Sequence, residues 1–133
     1  MEKKTHIMVV DDEPYVTRLV ERTLEDAGYV VTVAYDGGSA LDMLAEKEPD
    51  LILLDIRMPG LDGYQVLERI RESSDVPVLM LTAVRGESAI ERSVGLGADN
   101  YIVKPFSPRT LVARVQATLR RTRGELRRTN DRI

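Results

Sequence analysis

The sequence predicts an α/β domain in which five helices pack on both faces of a doubly wound, parallel, five-stranded sheet. Three observations support this fold class. Five short apolar runs alternate with five amphipathic stretches of helical period, and the connections between them are short. Such alternation produces parallel strands joined by right-handed crossovers. The chain has 133 residues, enough for one domain of this kind and too few for two.

The strands are expected at runs rich in Val, Ile and Leu. The third run, Leu51–Leu54, is apolar at every position, as is typical of a strand that a parallel sheet buries on both faces. In chain order, the predicted strands cover His6–Val10, Val30–Ala34, Leu51–Leu54, 78–81 and 101–103.

The helices are expected where apolar residues recur every three or four positions. In chain order, these residues are Val16, Leu19, Val20 and Leu24; Leu41 and Leu44; Val66, Leu67 and Ile70; Ile90 and Val94, in a helix over about 86–96; and Leu111, Val115 and Leu119. Proline suits the first turn of a helix, short polar side chains cap N-termini, and glycine ends a helix. The prolines at first-turn positions are Pro14 and Pro108. The expected N-caps are Asp36, Asp62 and Ser107, and the glycine that ends the first helix is Gly28.

Composition and charge exclude several classes of protein. Cysteine is absent from the sequence, which excludes disulfides, thiol catalysis and thiolate metal sites. No apolar stretch approaches the roughly 18 residues of a membrane span, so we expect a cytoplasmic protein without membrane contact. Residues 120–133 contain six arginines against two acidic residues, whereas the rest of the chain is net acidic. We expect a domain over 3–121 that does not itself bind nucleic acid, and an Arg-rich tail or linker over 122–133.

Polar residues of complementary chemistry stand at the carboxyl ends of four predicted strands. Asp11 and Asp12 follow the first strand, and Asp55 follows the third. Thr82 follows the fourth strand and Lys104 the fifth. The carboxyl ends of parallel strands lie at the same edge of a sheet, where ligands of open α/β sheets bind. We therefore expect these five side chains to meet there.

Three carboxylates in one pocket need a compensating charge. Each pair at about 4 Å repels by about 4 kcal/mol at an effective dielectric constant of about 20, so either one carboxyl is protonated or a cation binds. Oxygen ligands without His or Cys favour Mg²⁺. Lys104 adds a charge able to pair with Asp55 or with a phosphoryl oxygen. This set suits phosphoryl transfer, with Asp55 as the nucleophile that becomes an acyl phosphate.

Four segments resemble the receiver domains of two-component response regulators, namely VVDDEP at 9–14, LLDIRMPGLDG at 53–63, LTA at 81–83 and KPF at 104–106. The similarity covers about 6–121. It implies the flavodoxin-like strand order 2-1-3-4-5 and phosphorylation of Asp55 by a sensor histidine kinase. It also implies that Asp12, Asp55 and the backbone carbonyl of Arg57 ligate Mg²⁺ directly, while Asp11 helps through water.

The resemblance implies further roles around this site. Thr82 would hydrogen-bond the phosphoryl group, and Lys104 would contact it. Movement of Thr82 vacates space that Tyr101, the switch aromatic of the family, would turn inward to fill; an ordinary half-buried tyrosine is the alternative. The Lys104–Pro105 bond would be cis. Such a domain catalyses its own phosphorylation and dephosphorylation but is not a turnover enzyme in the ordinary sense.

The sequence around the fifth helix, with SPR at 107–109 and arginines at 120 and 121, resembles receivers of the winged-helix OmpR/PhoB class. This implies control of transcription through a DNA-binding domain absent from this chain, and a homodimer through helix four, strand five and helix five. The residues expected on that face are Ile90, Asp99, Asn100, Arg114 and Arg121. Asp99 and Arg114 match a usual charge pair across the dimer, but Asn100 stands where a second Asp is expected. With Ile90 exposed, the face could equally meet a different partner.

Other functions stay open or fit less well. A stand-alone receiver that acts by docking on other proteins is the main alternative. An Mg²⁺-dependent phosphatase with an Asp nucleophile needs a second Asp two residues later as general acid, where Arg57 stands. A nucleotide- or flavin-binding protein needs a glycine-rich or Ser/Thr-rich loop after the first strand, and none follows it. The complete acidic and basic set argues against a receiver-like protein that is never phosphorylated.

Overall fold

The structure, a computed structural model, describes residues 4–132, and the side chains of residues 4–122. Five strands alternate with five helices, as predicted. In chain order the elements are β1 (His6–Val10), α1 (Pro14–Asp26), β2 (Val30–Ala34), α2 (Gly37–Glu46), β3 (Leu51–Leu54), α3 (Gly63–Arg71), β4 (Val78–Thr82), α4 (Glu87–Gly95), β5 (Asn100–Val103) and α5 (Pro108–Arg132).

The five strands form one parallel sheet in the order β2-β1-β3-β4-β5, which confirms the flavodoxin-like topology. Alternate residues of β1 show how the helices cover both faces. Met8 and Val10 belong to an apolar core that includes residues of α2 and α3. Ile7 and Val9 belong to a second core that includes residues of α1 and α5. β3 is buried at every position, as expected for the central strand.

The helix ends carry the predicted caps. The Asp36 carboxylate accepts a hydrogen bond from Ser39 N at 2.7 Å at the start of α2. Asp62 and Gln65 form a reciprocal capping box at the start of α3. Gly28 follows α1 with a φ of 98°, a left-handed conformation that a residue with a Cβ adopts only with strain. These local signals fix where the helices begin and end.

Helix α4 turns a different side to the core from the predicted one. The sequence predicts Ile90 and Val94 as its apolar stripe and also places Ile90 on the expected partner face; these side chains are 39% and 60% exposed. Ala89 and Ser93 are buried instead, and the Ser93 hydroxyl donates to the Ala89 carbonyl oxygen at 2.8 Å. The exposure of Ile90 agrees with its place on that face, but the stripe as a whole does not face the core, because large apolar residues at helical spacing do not by themselves define the side they face. Small residues form the inner side of α4, which leaves the large ones in solvent.

The remaining differences concern element boundaries. β4 extends to Thr82 and β5 begins at Asn100, each one residue beyond the prediction. α5 continues to Arg132, so the expected tail over 122–133 begins inside a helix. Within residues 4–132, no helix has the length and apolar character that crossing a bilayer requires.

Candidate functional site

The strand ends bring the predicted site residues to one edge of the sheet. Backbone hydrogen bonds extend the sheet just beyond the strands, where Asp55 N donates to the Val10 carbonyl oxygen at 3.0 Å. On the other side of the site, Lys104 N donates to the Thr82 carbonyl oxygen at 2.8 Å. Asp11 and Asp55 are only 2% and 4% exposed. The site therefore rests on backbone that the sheet holds in place.

Lys104 is the cation of the site. Its Nζ lies 2.7 Å from Asp11 Oδ2 and 3.3 Å from Asp55 Oδ2. The sequence predicts a contact with Asp55, and the structure adds a shorter one with Asp11. Burial disfavours the ammonium form, but the hydrogen bond and charge of Asp11, together with the charge of Asp55, outweigh burial and raise the pKa of Lys104. Lys104 therefore stays positively charged at neutral pH.

The contact with Lys104 does not fully offset the effect of burial on the carboxylate of Asp11. Burial raises the pKa of Asp11, because it disfavours the charged carboxylate, and the neighbouring charge of Asp55 raises it further. Hydrogen bonds from Lys104 and from the Glu13 amide oppose this rise without cancelling it. An acid paired with a lysine would ordinarily show the opposite direction. The surroundings of Asp11 thus favour a further positive charge beside its carboxylate, either a proton or a cation.

The arrangement of carboxylates fits a divalent cation. Asp11, Asp12, Glu13 and Asp55 each offer one oxygen, and these oxygens lie within 4.8 Å of one another. Asp55 Oδ1 is buried without a hydrogen-bond partner among the described residues, a situation that a bound cation relieves. Hard oxygen donors of this kind suit Mg²⁺. Glu13 is not among the predicted site residues, because only the turn into α1 shows that its carboxylate approaches the cluster.

The loop from Asp55 to Gly63 lies beside the site. Arg57 is exposed in this loop, and its carbonyl group stays a predicted ligand. Gly63 N donates to the Ile56 carbonyl oxygen at 2.7 Å. A Cβ on Gly63 would lie 2.2 Å from the Asp55 carbonyl oxygen, so α3 begins in direct contact with the backbone of Asp55. Sequence reasoning missed this role of Gly63, because a glycine after a helix cap gives no sign of the backbone that it contacts.

Thr82 and Tyr101 are connected through the backbone that follows β4. The fully buried Thr82 accepts a hydrogen bond at Oγ1 from Val84 N at 3.3 Å. The Val84 carbonyl oxygen accepts one from the Tyr101 hydroxyl at 2.6 Å. Burial raises the pKa of Tyr101, so its hydroxyl keeps its proton and remains a donor. The Lys104–Pro105 peptide bond next to the site is cis.

The charged residues of the predicted dimer face make contacts within the chain. Asp99 Oδ2 lies 3.3 Å from Arg71 Nη2. Arg114 Nη1 donates to Asn100 Oδ1 at 3.1 Å, and Arg121 donates to the Asp99 carbonyl oxygen. Arg71 was not expected there, because its residue type and position in α3 give no sign of a partner 28 residues later. Asp99 and Arg114 therefore have partners before any second molecule binds.

Comparison with families and curated proteins gives consistent matches. The family described as the response regulator receiver domain matches residues 7–116. The probable transcriptional regulator ycf27 of Guillardia theta is 47% identical over 122 residues, which are 92% of this chain and 48% of that protein. The chain thus spans about half the length of this curated relative.

Solved structures show the same fold at substantial identity. The chemotaxis protein CheY4 of Vibrio cholerae is 33% identical with a TM-score of 0.84, and the match covers 87% of this chain and 99% of that one. The BeF3-activated N-terminal receiver domain of RstA from Klebsiella pneumoniae is 34% identical with a TM-score of 0.83, and this match also covers 87% of this chain and 99% of that one.

Proposed function

Because this chain belongs to the family of response regulator receiver domains, we propose that Asp55 is the residue on which it accepts a phosphoryl group. The chain is the receiver domain of a two-component response regulator, and such domains interact with histidine kinases. One observation carries the assignment to Asp55. Its carboxylate is buried, with one oxygen 3.3 Å from Lys104 Nζ and the other without a hydrogen-bond partner in the described part of the chain.

Receiver domains generally bind Mg²⁺ in an acidic pocket, and we assign this ion to the carboxylate cluster. Asp12, Asp55 and the backbone carbonyl of Arg57 would hold the ion directly, and Asp11, which already contacts Lys104 at 2.7 Å, would act through water. When bound, the ion neutralises negative charge on the phosphoryl oxygens during transfer.

The residues of the chain have distinct roles in the transfer from a kinase. An Asp55 carboxylate oxygen forms a bond to phosphorus while the phosphorus–nitrogen bond of the phosphohistidine breaks, and the electron pair of that bond leaves with the imidazole. Lys104 supplies positive charge to the phosphoryl oxygens, and the Thr82 hydroxyl donates a hydrogen bond to one of them. The residues of the domain thus promote its own phosphorylation.

Phosphorylation by a small donor tests the assignment. After incubation with acetyl phosphate and Mg²⁺, intact-mass measurement is expected to show one added phosphoryl group on the wild type and none on Asp55→Asn, because an amide is a poor nucleophile. Asp42→Asn, the same change on an exposed residue of α2, should behave as the wild type. Phosphorylation of Asp55→Asn would contradict the assignment. Sustained hydrolysis of a phosphomonoester would instead favour a phosphatase.

We further propose that phosphorylation acts through Thr82 and Tyr101 on the surface formed by α4, β5 and α5. Movement of the Thr82 hydroxyl toward the phosphoryl group would break its hydrogen bond with Val84 N and alter the loop that holds the Tyr101 hydroxyl. The homodimer would form through a face that contains Ile90, Asp99, Asn100, Arg114 and Arg121.

Sedimentation velocity with and without acetyl phosphate tests this coupling. Thr82→Ala is expected to accept the phosphoryl group on Asp55 but to dimerise about tenfold more weakly than the phosphorylated wild type, because it lacks the hydroxyl that reports the modification. Thr23→Ala, on α1 away from the site, serves as the control. Equally tight dimers of phosphorylated wild type and Thr82→Ala would refute the role of Thr82.

The output is proposed to be transcriptional. The ycf27 relative is described as a probable transcriptional regulator, and the chain covers 48% of it. We propose that the receiver belongs to the winged-helix OmpR/PhoB class, with residues 122–133 leading to a DNA-binding domain. Reading the coding region beyond residue 133 decides this point, because a stop codon there would favour the stand-alone receiver that acts by docking.

A further inference from the structure

We infer that Glu13 determines which phosphodonors the receiver uses, an inference that rests on the proposed role of Asp55. Its exposed carboxylate adds negative charge beside the site. This charge repels a donor more strongly the more negative the donor is, and it strengthens the binding of Mg²⁺.

The backbone of Glu13 is held on both sides. Its N–H donates to Asp11 Oδ1 at 3.0 Å, and its carbonyl oxygen accepts from Thr17 N at 3.1 Å in the first turn of α1. Pro14 follows directly and restricts the backbone further. The position of Glu13 relative to Asp11 is therefore determined by the fold rather than by a flexible loop.

The side chain of Glu13 lies between the buried cluster and solvent. Its Oε1 is 3.9 Å from Lys104 Nζ, and its side chain is 62% exposed. The side chains of Asp11 and Asp55 are only 3% and 5% exposed. The charge of Glu13 is therefore accessible from solvent, whereas the carboxylates of Asp11 and Asp55 are not.

The net charge of the site depends strongly on the Glu13 carboxylate. Among the described residues, four carboxylates of the cluster lie around the ammonium of Lys104, which leaves three negative charges when all four are ionised. A divalent cation reduces this excess to one negative charge. Removal of the Glu13 charge would make the loaded site neutral. Because the carboxylate is exposed, its effect on an approaching ion should be long-range and should weaken as salt is added.

A purely structural role for Glu13 is less consistent with its contacts. Acidic residues at the start of a helix often cap it or interact favourably with its dipole. Glu13 occupies the N-cap position of α1, but its side chain makes no capping hydrogen bond. Its carboxylate oxygen instead belongs to the cluster around Asp55.

Two small donors of different charge provide the test. At pH 7 acetyl phosphate is a dianion and phosphoramidate a monoanion. With either donor an Asp55 oxygen bonds to phosphorus, while the leaving group departs as acetate in the first case and as ammonia in the second. We compare the wild type with Glu13→Gln, which keeps the shape and removes the charge. Glu25→Gln is the control, because it makes the same change on an exposed residue near the far end of α1, about 18 Å along the helix.

The expected readout is a ratio of rates. The quantity compared is the phosphorylation rate with acetyl phosphate divided by the rate with phosphoramidate. In about 0.02 M salt this ratio should be about threefold higher for Glu13→Gln than for the wild type. In about 0.5 M salt the two proteins should have the same ratio. Titration calorimetry of the unphosphorylated proteins should show Mg²⁺ bound about two- to fivefold more weakly by Glu13→Gln in low salt. Glu25→Gln should change neither quantity.

The outcomes separate this inference from the function on which it rests. If the wild type is phosphorylated at Asp55 but Glu13→Gln keeps the wild-type ratio in low salt, the inference about Glu13 is wrong and the proposed function stands. The same conclusion follows if Glu25→Gln shifts the ratio equally. If the wild type gains no phosphoryl group from either donor, the proposed function fails, and donor selection by Glu13 fails with it.

Discussion

Gly63→Ala is expected to lower the free energy of unfolding by about 2–4 kcal/mol, a large effect for the addition of one methyl group. The new Cβ would lie 2.2 Å from the Asp55 carbonyl oxygen and 2.6 Å from the Ile56 Cα. Neither atom can withdraw easily, because both belong to backbone and Asp55 N is bonded to the Val10 carbonyl oxygen. Helix α3 must therefore move away from the end of β3. Equilibrium unfolding in urea measures the loss.

The same displacement should reach the site. Because α3 begins against Asp55, Gly63→Ala is also expected to weaken Mg²⁺ binding, which calorimetry can measure. Gly95→Ala is the matched control, since, apart from its chain neighbours and the nearby backbone of its own helix, no atom of the described residues lies within 4 Å of the added Cβ. It should raise the stability by about 0.5 kcal/mol, because Ala is a better helix former than Gly. A Gly63→Ala variant as stable as the wild type would show that the contact between α3 and Asp55 relaxes freely.

Lys104→Met is expected to slow phosphorylation by acetyl phosphate about 100-fold and, in the opposite direction, to tighten Mg²⁺ binding about three- to tenfold. Phosphorylation suffers because the ammonium that would stabilise the phosphoryl oxygens is lost. The affinity for Mg²⁺ rises because in the wild type Lys104 Nζ lies 2.7 Å from Asp11 and 3.3 Å from Asp55, where its charge repels a second cation. Rates by intact mass and affinities by calorimetry provide the two readouts.

The opposite signs distinguish a catalytic role from simple damage to the fold. A misfolded variant would lose both phosphorylation and Mg²⁺ binding, whereas the electrostatic interpretation requires that only phosphorylation falls. Lys47→Met removes the same charge from an exposed residue after α2 and should leave both quantities near those of the wild type. Weaker Mg²⁺ binding by a folded Lys104→Met protein would contradict the proposed competition between Lys104 and the ion.

Features that depend on neighbours in the sequence were predictable. The buried strand Leu51–Leu54 follows from its unbroken apolar run, and the start of α3 follows from Asp62, whose carboxylate accepts from a backbone amide three residues later. The meeting of Asp11, Asp55 and Lys104 was also predictable, although 93 residues separate the first from the last. Parallel strands place all their carboxyl ends at one edge, so the topology alone brings these side chains together.

Features that depend on which surfaces touch were not predictable. The spacing of Ile90 and Val94 is the same whether they face the core or solvent, and only the packing of α4 on small residues turns them outward. Arg71 and Asp99 meet because the end of α3 lies beside the start of β5, which no local pattern encodes. Gly63 looks like any glycine after a cap until the backbone of Asp55 is found against it.

The amino-acid sequence alone was enough to identify a five-stranded parallel sheet with an acidic pocket and a lysine at one edge, because hydrophobic periodicity, caps and strand ends are local properties. The tertiary structure decided how charge is distributed within that pocket. It brings Lys104 closest to Asp11, adds the exposed Glu13 to the cluster and leaves one Asp55 oxygen without a partner among the described residues. Distances of a few ångströms between side chains from different strands set these interactions, and they exist only once the sheet has formed.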